Sequence, residues 1–322
     1  MRKSNYETII SNILKFSSEN FFIFLLDTIF KQCYSSLMKA ITPFFKHRKG
    51  FIMDKTNLAN RMKMYEKLNT EQFMPLLPIY VRLDGRAFHT FCRGLDKPFD
   101  FDLMDLMQKV TKKLVDSTNA CWGYTQSDEI SLFWNPTSVE DQLIFNGKKQ
   151  KMISVLASIA TAEFILQGLK VPKMKERIER FGVNFDCRIF QLPNKSELTN
   201  TFLWREIDAR RNSVSMLAQS LYSHKQLQNK NMDALLQMCR DKGKEWYDLP
   251  NDCKRGSWFK RGRVRRELTD EELNKIPEKY RPTERMVIRT EVQKMDLPLL
   301  KDVSNRSEVL FDNEEVKLIE EL

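Results

Sequence analysis

Acidic residues lie at the ends of segments whose pattern predicts β-strands, and a fold that pairs these strands would bring their negative charges close together. Asp84 nearly ends the alternating segment Ile79–Gly85, and the pair Asp128 and Glu129 lies at a tight turn within the strand-like segment 122–134. Carboxylates brought close together repel, and such a pair resists ionising together. A divalent cation removes that conflict, and two Mg²⁺ ions about 4 Å apart are the usual solution where phosphoryl or nucleotidyl groups are transferred. Each motif alone is also typical of a solvated turn, so the hypothesis requires a fold that brings the acids together.

The elements that would position these acids can be read from the hydrophobic pattern. Alternation predicts strands, whereas apolar residues at helical spacing predict a helix with one buried face, capped at its start by Asp100 or Asp102. In chain order we predict a strand at 79–85, a helix at 102–118, a hairpin within 122–134, a helix at about 151–167 and a strand at 183–193. This β-α-β-β-α-β order is ferredoxin-like, an antiparallel sheet with helices on one face. The predicted fold class is therefore α+β, a polymerase-type palm in which the first strand lies beside the hairpin.

The length of 322 residues predicts two domains. We expect a catalytic palm at 53–199, a smaller and mostly helical C-terminal lobe at 200–291, and a peripheral acidic tail at 292–322. Residues 1–52 are predicted to be a helical, peripheral extension, because the apolar stretch at 21–30 is too short to span a bilayer.

Composition limits the partners and the metal. Lys and Arg number 53 against 43 Asp and Glu, a formal net charge of +10 that favours a polyanionic partner such as nucleic acid. The six cysteines are scattered without a CxxC pair and there are three histidines, so neither a zinc site nor a disulfide framework is indicated. We expect a reducing, cytoplasmic environment, no membrane partner, and oxygen ligands for any metal, which favours Mg²⁺.

A basic run in the second lobe is the predicted RNA surface. Residues 254–266 read KRGSWFKRGRVRR, with seven basic residues and no acid. Basic side chains contact phosphates, and the interleaved aromatic side chains could stack on exposed bases. The candidate RNA-binding residues are Lys254, Arg255, Trp258, Lys260, Arg261 and Arg263.

Three motifs carry a resemblance to a known family. They are VRLDGRAFHTF at 81–91, KPFD at 97–100 and YTQSDEISLFW at 124–134. Together with 208–231 and 243–262 they closely resemble the tRNA(His) guanylyltransferases and the related guanylyltransferase-like 5′-end repair enzymes, over roughly residues 53–262. The resemblance implies a palm enzyme, often tetrameric, that uses two Mg²⁺ ions and adds guanylate or templated nucleotides to tRNA 5′ ends in the 3′→5′ sense. The 5′ end is first activated with ATP, or is already a triphosphate, and the 3′-hydroxyl of GTP then attacks it.

The resemblance also implies roles for particular residues. Asp84 and Asp128 would bridge the metals, the Gly85 carbonyl would be a further ligand, and Glu129 would support the site. For Lys151 there is a separate argument, since this residue opens a predicted helix whose dipole favours anions. The expected nucleotide-binding residues are Arg86, Ala87, Phe88 and His89 on the turn after the first strand, with Lys97, Ser127, Lys148, Lys151 and Asn212.

One departure bears on specificity. Eukaryotic family members carry His-Ile-Asn-Asn in the helix after the palm, whereas the matching residues here are Arg210, Arg211, Asn212 and Ser213. The asparagine is retained and the histidine is not. This difference favours the bacterial, archaeal or phage-like branch, whose members often repair 5′-truncated tRNA.

Two other functions fit parts of the pattern. A nucleotide cyclase also has a palm, but its hairpin typically reads GG[DE][DE]F rather than QSDE, and it would form a cyclic product from GTP alone. A non-catalytic tRNA-binding protein could retain the fold, although the presence of Asp84, Asp128 and Lys151 argues against a degenerate site.

Overall fold

The structure, a computed structural model, describes residues 57–68, 70–141 and 143–319, so the extension predicted at 1–52 lies outside the described residues. Contacts divide the chain into two units, Met1–Asn69 and Thr70–Leu322. The described part of the first unit is helix α1 (Asn57–Leu68). The strands of the second unit are β1 (Ile79–Gly85), β2 (Trp122–Gln126), β3 (Glu129–Trp134), β4 (Phe185–Gln191), β5 (Ser257–Glu267) and β6 (Met286–Met295). Its helices are α2 (Phe88–Phe91), α3 (Phe101–Thr118), α4 (Lys149–Gly168), α5 (Pro172–Phe181), α6 (Lys195–Leu221), α7 (His224–Leu227), α8 (Met232–Asp241), α9 (Asn251–Arg255), α10 (Asp270–Lys275) and α11 (Arg306–Phe311).

The six strands form one sheet in the order β4-β1-β3-β2-β5-β6. All of its neighbouring strands are antiparallel. The first four strands, with α3 and α4, reproduce the predicted β-α-β-β-α-β order, which confirms the ferredoxin-like palm. Within β1 the register sets Asp84 opposite Glu129 of β3 and opposite Asp186 of β4.

The first face of the sheet packs against α3 and α4. Asp100 caps α3 as predicted, because its carboxylate accepts a hydrogen bond from the Leu103 N–H at 3.0 Å. Helix α4 is long and apolar enough to cross a membrane by length and composition alone. Its fully buried residues, Met152, Leu156, Ala160 and Phe164, lie in the core beneath the sheet, as is usual for a helix of a globular domain.

The second face is also covered, whereas the sequence predicts helices on one face only. Helix α6 packs on it through Leu198 and Phe202, and the Phe202 ring centroid lies 5.3 Å from that of Tyr80. The physical reason is that alternate residues of the strands place large aromatic side chains on this face, and such side chains need burial. The predicted boundary at 199/200 therefore falls inside one helix, and the predicted helical lobe contributes β5 and β6 to the same sheet. The buried aromatic residues of the strands on this face are Tyr80, Trp122, Tyr124, Phe133 and Trp258.

The predicted acidic tail is not peripheral over its described part. Val292 belongs to β6 and is buried in the first core, and Leu300 and Leu310 are buried in the second. The Trp122 indole N–H donates a hydrogen bond of 2.8 Å to the Leu310 carbonyl. The prediction followed the excess of acids, whereas the apolar residues between those acids determine where the segment packs.

A buried carboxyl holds this C-terminal segment to α6. Glu206 is 1% exposed, and its Oε2 accepts a hydrogen bond of 2.7 Å from the Leu300 N–H. Burial raises the pKa of Glu206 from 4.5 to about 7. Since the folded-state pKa is the higher one, the unfolded chain loses its proton first, and stability falls as pH rises from 4.5 towards 7.

We expect Glu206→Gln to remove this pH dependence, because glutamine stays neutral and its amide oxygen can still accept the Leu300 N–H. The free energy of unfolding should rise by up to about 3 kcal/mol at high pH and change little at low pH. Urea unfolding across this pH range measures the difference. Glu197→Gln, an exposed position on the same helix, is the control; a gain that is equal at all pH values would contradict the assignment.

Candidate active site

The acids predicted to do chemistry meet at one edge of the sheet. Asp84 lies near the end of β1, and Asp128 lies in the two-residue loop between β2 and β3. The Gly85 N–H donates a hydrogen bond of 3.1 Å to the Asp128 carbonyl, so the chain after β1 is tied to the tip of the hairpin. Asp84 shares its face with Arg82 and Tyr80, the second face covered by α6.

Both acids are held in surroundings that disfavour their negative charge. Burial raises the pKa of Asp84, and the carboxylate of Asp186 on the neighbouring strand raises it further. Burial also raises the pKa of Asp128, with a contribution from the charge of Asp84. The hydrogen bond between the Gly85 N–H and the Asp128 carbonyl keeps residues 84 and 128 close together, so each charge acts on the other. A bound cation would relieve this repulsion.

The donor set fits Mg²⁺. Asp84, Asp128 and the Gly85 carbonyl supply oxygen, which Mg²⁺ prefers. Over residues 57–68, 70–141 and 143–319 no three or more His, Cys, Asp or Glu side chains form a ready-made metal site. Mg²⁺ usually takes one or two carboxylates from the protein and completes its coordination with water and substrate phosphates.

Glu129 has a structural partner that the sequence did not reveal. It is 6% exposed, and its oxygens accept hydrogen bonds of 2.6 and 2.8 Å from Arg205 of α6. Arg205 also lies 3.0 Å from Asp208, while Arg82 Nε lies 3.8 Å from Glu129. Glu129 is thus committed to anchoring the hairpin to α6. Arg82 could have been found from its place two residues before Asp84, but the Arg205 contact depends on tertiary structure.

A second arginine missed by sequence reasoning reaches the acids from β4. Arg188 Nη2 lies 3.7 Å from Asp84 Oδ2, and its Nε lies 3.4 Å from Asp186 Oδ1. The side chain is 52% exposed, so it can exchange these partners for a substrate phosphate.

Of the nucleotide-binding residues predicted on the turn after β1, three are exposed and one is buried. Arg86, Ala87 and His89 are exposed, whereas the Phe88 side chain is 3% exposed and belongs to the core, which leaves its backbone N–H for the predicted nucleotide contact. A Cβ atom on Gly85 would lie 2.3 Å from the Phe88 ring, which explains the glycine. Ala87 has a φ of +60°, and the Arg86 backbone N–H already donates to the Asn184 carbonyl.

The hairpin tip supplies Ser127. It is exposed, and its hydroxyl donates a hydrogen bond of 3.0 Å to Asp128 Oδ1. Its φ of +51° is unusual for a residue with a side chain. The tight turn therefore places a hydroxyl donor beside the acid edge.

Lys148 and Lys151 are not brought to the acids within one chain. Phe164, late in α4, packs against Phe88 beside the acid edge, with ring centroids 5.4 Å apart. Lys151 lies thirteen residues earlier on this helix, and Lys148, directly before the helix, lies sixteen residues earlier, so both are about 20 Å or more away. Because α4 runs back along the sheet from the far end of β3, its start lies at the opposite edge. Lys97 is exposed in the loop before α3.

Helix α6 carries the last predicted nucleotide residue. Asn212 is exposed and lies seven residues beyond Arg205, about 10 Å along the helix.

The predicted RNA surface is only partly available. Trp258 and Phe259 are 1% and 4% exposed, because adjacent residues of β5 point to opposite faces and both faces are covered. They cannot stack on bases, which corrects the prediction for Trp258. Four of the basic residues have local partners: Lys254 the Tyr247 carbonyl, Arg255 Asp296, Lys260 the Trp122 ring and Arg261 Asp116. The side chains of Arg263 and Arg265 are exposed on one face of β5, and neither side chain has a hydrogen bond or ion pair with another residue that the structure describes.

Comparison with known proteins supports the resemblance. The family model described as tRNAHis guanylyltransferase matches residues 59–193. The tRNA(His) guanylyltransferase of Schizosaccharomyces pombe is 27% identical over 156 residues, which cover 48% of this chain and 56% of that protein. A bacterial tRNA(His) guanylyltransferase (Thg1)-like protein in complex with ATP superposes with a TM-score of 0.62 at 30% identity, covering 79% of this chain and 97% of that chain. The structure of a bacterial Thg1-like protein in complex with GTP superposes with a TM-score of 0.56 at 29% identity, covering 80% of this chain and 100% of that chain. On this sequence match and shared fold, the chain belongs to the tRNA(His) guanylyltransferase family of nucleotidyltransferases.

Proposed function

We propose that this protein adds guanylate, or templated nucleotides, to the 5′ end of tRNA in the 3′→5′ direction, with Mg²⁺ as cofactor and GTP and ATP as substrates. Membership of the family supports the coarser statement, a nucleotidyltransferase acting on tRNA. The observation that carries the proposal is the meeting of Asp84 and Asp128 at one sheet edge, each with a raised pKa. The ATP and GTP bound to the bacterial relative support the choice of nucleotides.

The bonds changed are those of phosphoryl chemistry. The 3′-hydroxyl of GTP gives up its proton to solvent as its oxygen forms a bond to the phosphorus of the activated 5′ end, and the bond from that phosphorus to AMP or pyrophosphate breaks. Mg²⁺, when held by Asp84, Asp128 and the Gly85 carbonyl, would neutralise phosphate charge and lower the pKa of the attacking hydroxyl.

The residues around the acids bind and orient the substrate. Arg188 can turn from Asp84 to a phosphate oxygen, because bidentate guanidinium contacts suit phosphate. Arg86 and His89 lie exposed on the turn after β1, and Ser127 offers a hydroxyl donor. Arg205 keeps the hairpin, and with it Asp128, in place through Glu129.

The test offers full-length tRNA(His) and a 5′-truncated tRNA separately, each with labelled GTP and ATP, with Mg²⁺ and with a chelator. We expect label at the RNA 5′ end only when Mg²⁺ is present, and the preferred RNA distinguishes single guanylate addition from repair. A cyclic product from GTP alone would instead identify a cyclase, and RNA binding without incorporation would identify a non-catalytic binding protein.

RNA binding should depend on the two unpaired arginines of β5. Replacing Arg263 and Arg265 with glutamine removes two phosphate contacts, so the slope of log Kd for tRNA against log salt should fall by about two units. Titration at several salt concentrations measures the slope. The control replaces two exposed lysines with glutamine, Lys170 just before α5 and Lys175 within it, which gives the same change in charge. Equal slopes in both double variants would locate the RNA elsewhere.

A further inference from the structure

A large aromatic side chain stands exposed beside the acid edge. Trp204 on α6 has 53% of its surface exposed, and Ile207, one turn further along, has 52%. Tryptophan is largely buried in most proteins, and an exposed apolar patch often marks a binding site. Core packing therefore does not explain why the ring stands where it does.

The ring is held in place by two guanidinium groups. Arg205 lies 4.4 Å from the ring centroid and Arg82 lies 5.8 Å from it. Arg205 is itself fixed by two hydrogen bonds to Glu129 and one to Asp208. The ring thus keeps an open surface while its position is set by a buried ion-pair network.

The Trp204 ring lies next to the strand ends that carry Asp84 and Asp128. Arg82 precedes Asp84 by two residues on the same face of β1, a separation of about 7 Å along the strand. Arg205 contacts Glu129, the residue after Asp128. A molecule lying on the Trp204 ring would therefore extend towards the two acids.

The surrounding charges identify the kind of ligand. The cores of protein interfaces are depleted of charged residues, whereas Arg82 and Arg205 lie against this ring. Arg188 is the partner of Arg82 on the neighbouring strand β4. A nucleotide fits both features, because its base stacks on an aromatic ring while its phosphates meet the exposed Arg188 guanidinium. This combination favours a nucleotide over a second copy of the chain.

We propose that Trp204 is a stacking platform for a nucleobase at the acid edge. The base belongs either to the terminal nucleotide at the RNA 5′ end or to the nucleoside triphosphate. The inference rests on the proposed function for its choice of ligands, but binding can be measured without turnover.

The test compares Trp204→Phe, which keeps an aromatic face, with Trp204→Leu, which keeps only apolar volume. We expect Trp204→Leu to lower kcat/KM about 10- to 100-fold, the size of one lost base stack, and Trp204→Phe to retain most of it. A rise of KM for RNA alone assigns the base to the RNA end, and a rise for the triphosphate alone assigns it to the nucleotide. Phe181→Leu is the matched control, since Phe181 is 41% exposed with Arg180 5.0 Å from its ring.

A spectroscopic signal separates stacking from turnover. 2-Aminopurine is a fluorescent base that can be placed at the RNA 5′ terminus or in a triphosphate. Its fluorescence should be quenched when it binds to the wild type or to Trp204→Phe, but not when it binds to Trp204→Leu. Unchanged quenching and kcat/KM in Trp204→Leu would overturn the inference. A change in oligomeric mass without a change in quenching would assign the ring to a second copy instead. If the wild type quenches the probe but adds no nucleotide, the proposed function fails while the stacking site stands.

Discussion

Replacing Asp84 or Asp128 with asparagine should lower kcat/KM for nucleotide addition by about 10³-fold or more, because a metal-holding carboxylate supplies several kcal/mol of transition-state stabilisation. Asparagine keeps the shape of the side chain and removes its charge. The folded protein should not suffer, since burial and neighbouring charge already raise the pKa of both acids, so their ionised forms are unfavourable in the folded state. Incorporation of labelled GTP into tRNA measures the loss, and urea unfolding measures the stability.

Two controls sharpen this experiment. Asp186→Asn removes the third acid, which touches Arg188 but is not assigned to the metal, and it should cost much less activity. Both carboxyls have raised pKa values in the absence of a metal, so protons compete with Mg²⁺ for them. In the wild type, the Mg²⁺ concentration needed for half-maximal activity should therefore rise as pH is lowered. Full activity in both the Asp84 and Asp128 variants would remove the metal-centred proposal and leave only the family resemblance.

The palm and the meeting of its acids could be predicted because they follow from local pattern and one topological rule. Alternation placed β1 at Ile79–Gly85, as the structure has it, and the ferredoxin-like order puts β1 beside the hairpin. The same rule, applied further, would have placed Lys148 and Lys151 at the far edge, because the helix after β3 must run back towards the start of β4. That step was missing from the sequence argument.

Other features depend on contacts between distant residues. Trp258 and Phe259 looked like a stacking platform because their basic neighbours suggested a solvated segment, but in a strand covered on both faces adjacent residues are both buried. The pairing of Arg205 with Glu129 joins residues 76 apart in the chain, and no local pattern announces it. Since α6 reaches the second face only through such contacts, both the cover of that face and the setting of Trp204 were beyond the sequence.

Removing Arg205 should have the largest effect on stability. Its side chain and that of Glu129 are each 7% exposed, so Arg205→Met leaves a carboxylate buried without its bidentate partner. Breaking a buried pair from one side typically costs about 3–5 kcal/mol, whereas replacing both partners with apolar groups can be nearly neutral. We therefore expect Glu129→Leu with Arg205→Met to lose less stability than the sum of the single variants, measured as urea midpoints at constant m-value.

The pH dependence of the single variant provides a second check on the same pair. Burial raises the pKa of Glu129 even with Arg205 present, and Arg205 opposes that rise. Without the arginine the folded-state pKa rises further above the unfolded value, so the destabilisation should grow as pH increases and shrink as Glu129 takes up a proton in acid. Additive losses, or a loss that is the same in acid and base, would mean that the pair is not the anchor of the hairpin. If the anchor is real, Arg205→Met should also lower nucleotide addition under folded conditions, because Asp128 is the neighbour of the residue released.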